Sequence, residues 1–133
     1  MKGYRLSILR HGMTEANAKG IYIGKTDTPL SDKGAAQLAA KMDEFDYPTV
    51  HRVYSSPLRR CTETAEILFP HTQICVVDDL RELDFGIFEN KSVDELVKRE
   101  DYMKWIKAAR IPVRRRVRAC RNLLRVHTRL CMR

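Results

Sequence analysis

Apolar and polar positions fall along this chain in blocks, and each block predicts one element. The run Tyr4 to Leu9 reads as a strand that ends in Arg10-His11-Gly12, and Met13 to Lys19 follows with a helix-compatible pattern. Gly20 to Pro29 is rich in turn residues and reads as a loop. Ser31 is a good N-cap for a helix whose apolar residues Ala35, Leu38, Ala39, Met42 and Phe45 share one face. Pro48 closes the connection to a second short strand, His51 to Tyr54. Ser56 then suits an N-cap and Pro57 the first helical position, with Leu58, Cys61, Ala65 and Leu68 as a buried stripe. Pro70 ends that helix. Gln73 to Val77 reads as a third strand, and Asp78 to Gly86 as the loop after its carboxyl end. Ser92-Val93-Asp94-Glu95 is a capping box, and Tyr102 to Ile106 predicts another helix with Met103 and Trp105 in the core.

Length and composition narrow the picture. A chain of 133 residues with 44% apolar content suits one globular domain. The residues after Met1 lead into too few apolar positions for a signal-peptide core, and no run approaches the roughly 20 residues of a membrane span. A cytoplasmic location without a membrane partner is therefore expected. Cys61, Cys75, Cys120 and Cys131 form no Cys-x-x-Cys pair and lie near no histidine cluster, so neither a metal site nor a disulfide framework is indicated. The net charge of +8 resembles a nucleic-acid signal only until it is divided along the chain. Residues 1–109 hold 16 Lys and Arg against all 17 Asp and Glu, whereas residues 110–133 hold nine Arg and no acid. Nucleic acid is not the expected partner of the first 109 residues.

The candidate chemistry gathers at element ends. A strand end facing a helix N-terminus, with unpaired N–H groups and a partial positive charge, is a ready anion site. Arg10 adds a fork of donors matched to phosphate oxygens, and His11 as a neutral imidazole is a nucleophile for phosphorus. Thr14 and Asn17 fall near the same anion, and Gly24 allows close backbone approach to a ligand. Arg59 and Arg60 stand in the first turn of their helix, where a cation opposes the dipole by on the order of 0.3–1 kcal/mol. An anion beside them removes that penalty. Successive helical residues point about 100° apart, so one arginine faces the pocket and the other solvent. Glu82, between Arg81 and Leu83, is a general acid if burial raises its pKa, or an ion-pair partner of Arg81. Cys61 belongs to the apolar stripe and His51 to the surface.

Four ordered blocks resemble the histidine phosphatase superfamily, the phosphoglycerate mutase-like proteins. They are Leu9-Arg10-His11-Gly12-Met13-Thr14-Glu15-Ala16-Asn17, then Thr28 to Gly34, then Tyr54 to Ala65, then Leu80-Arg81-Glu82-Leu83-Asp84-Phe85-Gly86. The resemblance implies a layered α/β/α fold with a mostly parallel central sheet. It also implies a phosphorylated small-molecule substrate and a two-step transfer without metal or cofactor. His11 would become phosphohistidine, Arg10 and Arg60 would hold the phosphoryl oxygens, and Glu82 would protonate the leaving oxygen and then activate water. Phe85 to Ser92 and Asp101 to Ile106 look most like small bacterial α-ribazole phosphatase-type members. A phosphoglycerate mutase is the alternative within the family, and a non-catalytic phospho-ligand-binding module the alternative outside catalysis. Oligomeric state is not legible in these residues.

The resemblance of motifs covers residues 4–107 and then stops. Where a Pro-rich turn, Gly-Glu-Ser and a second histidine with glycine are expected, the chain continues as an Arg- and Cys-rich tail, and His127 is followed by Thr128. One codon choice for Val113 to Ala119 read two bases later gives Pro-Pro-Ala-Gly-Glu-Ser, so an out-of-frame tail is the leading expectation. A basic amphipathic helix for nucleic acid or an anionic surface is the other reading of residues 110–133, and a solvated or disordered end the third. Without the second histidine, little turnover and marginal stability are expected.

Overall fold

Two β-branched stretches supply the sheet in the computed structural model, which describes residues 5–110. Strand β1 (Val53–Ser55) and strand β2 (Ile74–Val76) pair in parallel, with Val53 opposite Ile74 and Ser55 opposite Val76. Both are shorter than the sequence pattern predicts; β2 lies inside the predicted strand Gln73 to Val77, whereas β1 starts two residues later than His51 and runs one residue past Tyr54. The fold is α/β with a parallel pair, as expected. The connection between the strands is helix α3 (Arg59–Leu68), which lies against both of them. Its stripe is buried as the spacing predicts, with Leu58, Ala65 and Leu68 inside and Cys61 half-buried. Helix α2 (Asp32–Glu44) packs on α3 and begins at Ser31, whose hydroxyl accepts from the Gly34 N–H at 3.0 Å. Only the first half of its apolar face is covered; Ala39, Met42 and Phe45 are exposed, with the Lys41 ammonium 5.3 Å from the Phe45 ring centre.

Two expectations for the amino-terminal block are corrected. Residues 5–9 form no strand: they join no ladder among the described residues, and Ile8 is 81% exposed. A strand needs neighbours to satisfy its amides and cover its apolar face, and among the described residues β1 and β2 pair only with each other. The helix expected over Met13 to Lys19 shrinks to the single turn α1 (Glu15–Ala18).

The carboxyl-terminal half of the described chain is held by aromatic packing. After β2 come two short 3₁₀ turns, Asp78–Leu80 and Gly86–Phe88, then α4 (Val93–Leu96) with its Ser92/Glu95 capping box, then α5 (Glu100–Arg110). Phe88, Leu96 and Tyr102 are buried together, with Tyr22, Phe85 and Ile106 against them. Tyr22 and Tyr102 share a hydroxyl hydrogen bond of 2.7 Å, and their rings meet edge to face. That bond, then burial, pushes the Tyr102 phenol up to about 12. Met103 and Trp105, expected in the core, are 39% and 38% exposed, because the inward face of α5 is set by Tyr102 and Ile106. Trp105 still lies against Phe88 and Tyr102 from the rim. The readings of the Arg-rich tail from residue 111 onward fall outside the described residues.

Candidate active site

The loop over residues 20–31 is the hub around which the proposed chemistry is arranged. Its first part is tied to the segment before α4, where Tyr22 and Lys91, and Gly20 and Val93, are bridged backbone to backbone at 2.9 Å. Its last part is tied to α3: the Arg59 N–H donates to Asp27 Oδ1 at 2.7 Å, the Arg60 N–H to the Thr28 carbonyl, and the Leu30 N–H to Glu63 Oε2 at 2.7 Å. Helix α3 therefore starts two residues later than expected. Leu58, not Ser56, is its N-cap, and because Leu58 has no capping oxygen, Asp27 from the loop supplies one.

That start decides which arginine turns inward. Arg59 is exposed and pairs with Glu63 one turn on, at 3.1 Å. Arg60 is only 2% exposed. Its Nη1 donates to the Thr26 carbonyl at 2.9 Å and its Nη2 to the Gly24 carbonyl at 2.7 Å. These acceptors are neutral, and Arg60 joins none of the salt bridges among the described residues. Two of five guanidinium donors are used. A buried cation hydrogen-bonded only to neutral carbonyls favours the approach of an anion to its free donors.

His11 lies within electrostatic reach of that cation. Its Nδ1 donates to the Gly12 carbonyl at 2.7 Å; a carbonyl can only accept, so the lone pair of the neutral ring is on Nε2. Burial is the main influence on His11 and pushes its pKa below the ordinary value. The Gly12 carbonyl opposes this, Arg60 and then Arg10 push further down, and Glu82 pushes up. The four residues expected to act together thus feel one another's charge at His11. Thr64 locks the two halves, accepting from the Gly12 N–H at 2.9 Å and donating to the Arg60 carbonyl at 2.6 Å.

The remaining expected contacts differ from the sequence reading. Arg10 is exposed. Thr14 and Asn17 cap each other: Asn17 Oδ1 accepts from the Thr14 N–H and hydroxyl, and Thr14 Oγ1 accepts from the Asn17 N–H. The helix that follows, α1, is a single turn, and this mutual cap takes up the Thr14 and Asn17 N–H groups. Gly24 faces protein: a Cβ there would collide with the Leu83 carbonyl and stand 2.6 Å from Glu89 Oε1. Glu82 is exposed, and one of its oxygens accepts from the Leu83 N–H at 2.9 Å. The burial expected of Glu82 is not found, since Leu83 is itself 70% exposed, and Arg81 pairs with Asp78 instead.

Glu89 and Thr64 are the residues that the sequence reading missed. Glu89 Oε1 accepts from the N–H groups of Gly24, Lys25 and Phe85 at 3.0, 3.0 and 3.1 Å, and Oε2 from the Thr26 hydroxyl at 2.6 Å. Burial pushes its pKa up, but these bonds outweigh burial and hold the carboxyl below its usual range. No local pattern marks it, because its partners are 63 to 65 residues away apart from Phe85. Thr64 had a weak signal, one helical turn from Arg60.

The model of the histidine phosphatase superfamily (branch 1) matches residues 6–129, nearly the whole chain. The chain belongs to that family. The match runs past residue 107, where the recognisable motifs of this superfamily stop. The adenosylcobalamin/alpha-ribazole phosphatase of Salmonella typhimurium is 32% identical over 105 residues, 76% of this chain and 52% of that protein. Among solved structures, the alpha-ribazole phosphatase of Shigella flexneri aligns with a TM-score of 0.66 at 28% identity, covering 77% of this chain and 53% of its own. The phosphoserine phosphatase of Entamoeba histolytica, solved with 3-phosphoglyceric acid, aligns with a TM-score of 0.61 at 30% identity over 73% of this chain and 49% of that one. This histidine phosphatase chain spans about half the length of the relatives it matches.

Proposed function

We propose that this chain carries the phosphoryl-accepting part of a phosphomonoester hydrolase that works through phosphohistidine on a small phosphorylated metabolite. The observation that carries the reading is the buried Arg60, without a carboxylate partner among the described residues, beside a half-buried His11 held neutral. In the proposed first step His11 Nε2 attacks phosphorus, the ester P–O bond breaks, and the leaving oxygen takes a proton from Glu82. In the second, the Glu82 carboxylate takes a proton from water, the water oxygen attacks phosphorus, and the P–N bond breaks to return neutral His11 and free phosphate. Arg60 and Arg10 counter the charge on the transferring oxygens. Glu82 stands after the carboxyl end of β2, and its charge acts on His11, which supports the proton-transfer role. The relatives named as alpha-ribazole phosphatases make a ribose phosphate ester the first substrate to try. A reducing, cytoplasmic setting suits the free thiols Cys61 and Cys75.

The test reads the first step by itself, because turnover asks more of the chain than accepting one phosphoryl group. Incubation with p-nitrophenyl phosphate, quenched in alkali and analysed by mass spectrometry, is expected to place one phosphoryl group on His11. His11→Ala should abolish it, and Arg60→Ala should slow it by about a hundredfold or more. Arg60-dependent binding of phosphate without any phosphohistidine would instead assign a phospho-ligand-binding module.

A further inference from the structure

We propose that Glu89 is a positioning residue that fixes the direction in which Arg60 presents its guanidinium. The inference rests on the reading of Arg60 as the ligand of a phosphoryl group, but its geometry stands separately. The peptide unit between Gly24 and Lys25 has its N–H on Glu89 Oε1 at 3.0 Å and its carbonyl on Arg60 Nη2 at 2.7 Å. One amide plane therefore bridges a carboxylate and a guanidinium, its dipole aligned with both charges, and each bond polarises the other. Thr26 repeats the pattern: its hydroxyl donates to Glu89 Oε2, and its carbonyl accepts from Arg60 Nη1 at 2.9 Å.

Glu89 thus accepts from three donors of the segment 24–26, the Gly24 and Lys25 N–H groups and the Thr26 hydroxyl, while Arg60 donates to two of its carbonyls. Rotating the Gly24–Lys25 peptide would break bonds to both charges at once. Gly24 makes the approach possible, since a Cβ there would stand 2.6 Å from Glu89 Oε1. Glu89 makes no salt bridge among the described residues, so its charge is answered by these dipoles and, through them, by Arg60. Fixing the guanidinium also fixes the distance at which its charge acts on His11, whose pKa that charge lowers.

The experiment is ¹⁵N NMR of the Arg60 guanidinium in the full chain, with Arg60→Ala assigning the signals and phosphate binding measured in parallel. A guanidinium held by two carbonyls rotates slowly and shows resolved Nη signals. Glu89→Asp keeps the charge but withdraws it by one methylene; the signals are expected to coalesce, and phosphate affinity to fall about tenfold, the worth of one charge-assisted hydrogen bond. Glu89→Gln keeps the reach, and it should retain resolved signals and affinity within about threefold. Resolved Arg60 signals in Glu89→Asp would overturn the proposal, as would an equal loss in Glu89→Gln. If the unmodified chain binds phosphate no better than Arg60→Ala, the phosphoryl-transfer reading fails, while the guanidinium signals still decide the role of Glu89.

Discussion

His11 couples chemistry to stability because the same burial that frees its lone pair makes its protonated form unwelcome. Burial lowers its pKa in the folded chain from an unfolded value of about 6.5, with Arg60 and Arg10 acting in the same direction. A group with a depressed folded pKa binds fewer protons folded than unfolded between the two values. Stability is then expected to rise with pH through the window just below about 6.5 and to level off above it, the neutral ring's advantage being lost as pH falls through the folded pKa. Urea unfolding midpoints of the chain and of His11→Ala, compared from pH 5 to 7, check this; the difference between the two should carry the slope. Parallel curves would mean that His11 titrates as it does in an unfolded chain. The same residue-scale logic explains why Glu89 was invisible in the sequence. A carboxylate among Phe88, Asn90 and Lys91 looks like a solvated turn, and only its distant partners give it a function.

At the scale of elements, α3 is the piece whose placement decides the site. Its Ser56-Pro57 start looks complete in the sequence, yet the helix begins at Arg59 because Asp27 reaches its first amide from another loop. Had Pro57 been the first helical residue, the turn would have placed its arginines differently against the loop carbonyls. Asp27→Ala is expected to destabilise the chain by about 1 kcal/mol, the usual worth of a cap, and to loosen the helix end that carries Arg60. Urea unfolding and amide exchange at Arg59 and Arg60 measure both effects; fast exchange confined to distant residues would show that the cap does not matter. Gly34 shows the same dependence on tertiary contact from the other side. It sits in the first turn of α2, where a Cβ would meet the backbone of Met13, so that turn can lie against the residues following His11. The hydroxyl and N–H of Ser31 close the contact by donating to the Met13 carbonyl at 3.1 and 2.9 Å.

The whole molecule has two unequal halves of cohesion. Leu96 and Tyr102 are buried in the aromatic cluster with α5, whereas Leu6, Ile8 and Leu9 are exposed, and the sheet has two strands among the described residues. The chain matches relatives about twice its length, and apolar residues left in solvent add little to the stability of the fold. Ile8→Lys is expected to change the unfolding free energy by no more than about 0.5 kcal/mol, as for a surface site. A loss several times larger, measured by urea unfolding at low protein concentration, would show that Ile8 is covered in solution.

What the sequence determined by itself is whatever depends on neighbours in the chain. The periodic stripe of α3, the Ser31 cap, the Ser92/Glu95 capping box and the β-branched cores of both strands formed where local pattern places them. So did the family, because its motifs are short contiguous strings read without knowing their surroundings. What only tertiary structure decided depends on groups far apart in the chain. It gave Arg60 the Gly24 and Thr26 carbonyls as partners, left Glu82 in solvent, kept the run before His11 out of any ladder among the described residues, and set Glu89 against residues 24–26. The physical reason is common to all four. A strand, a buried charge or a carboxylate clamp is stabilised by partners that satisfy its hydrogen bonds and cover its surface, and the identity of those partners is a property of the folded chain.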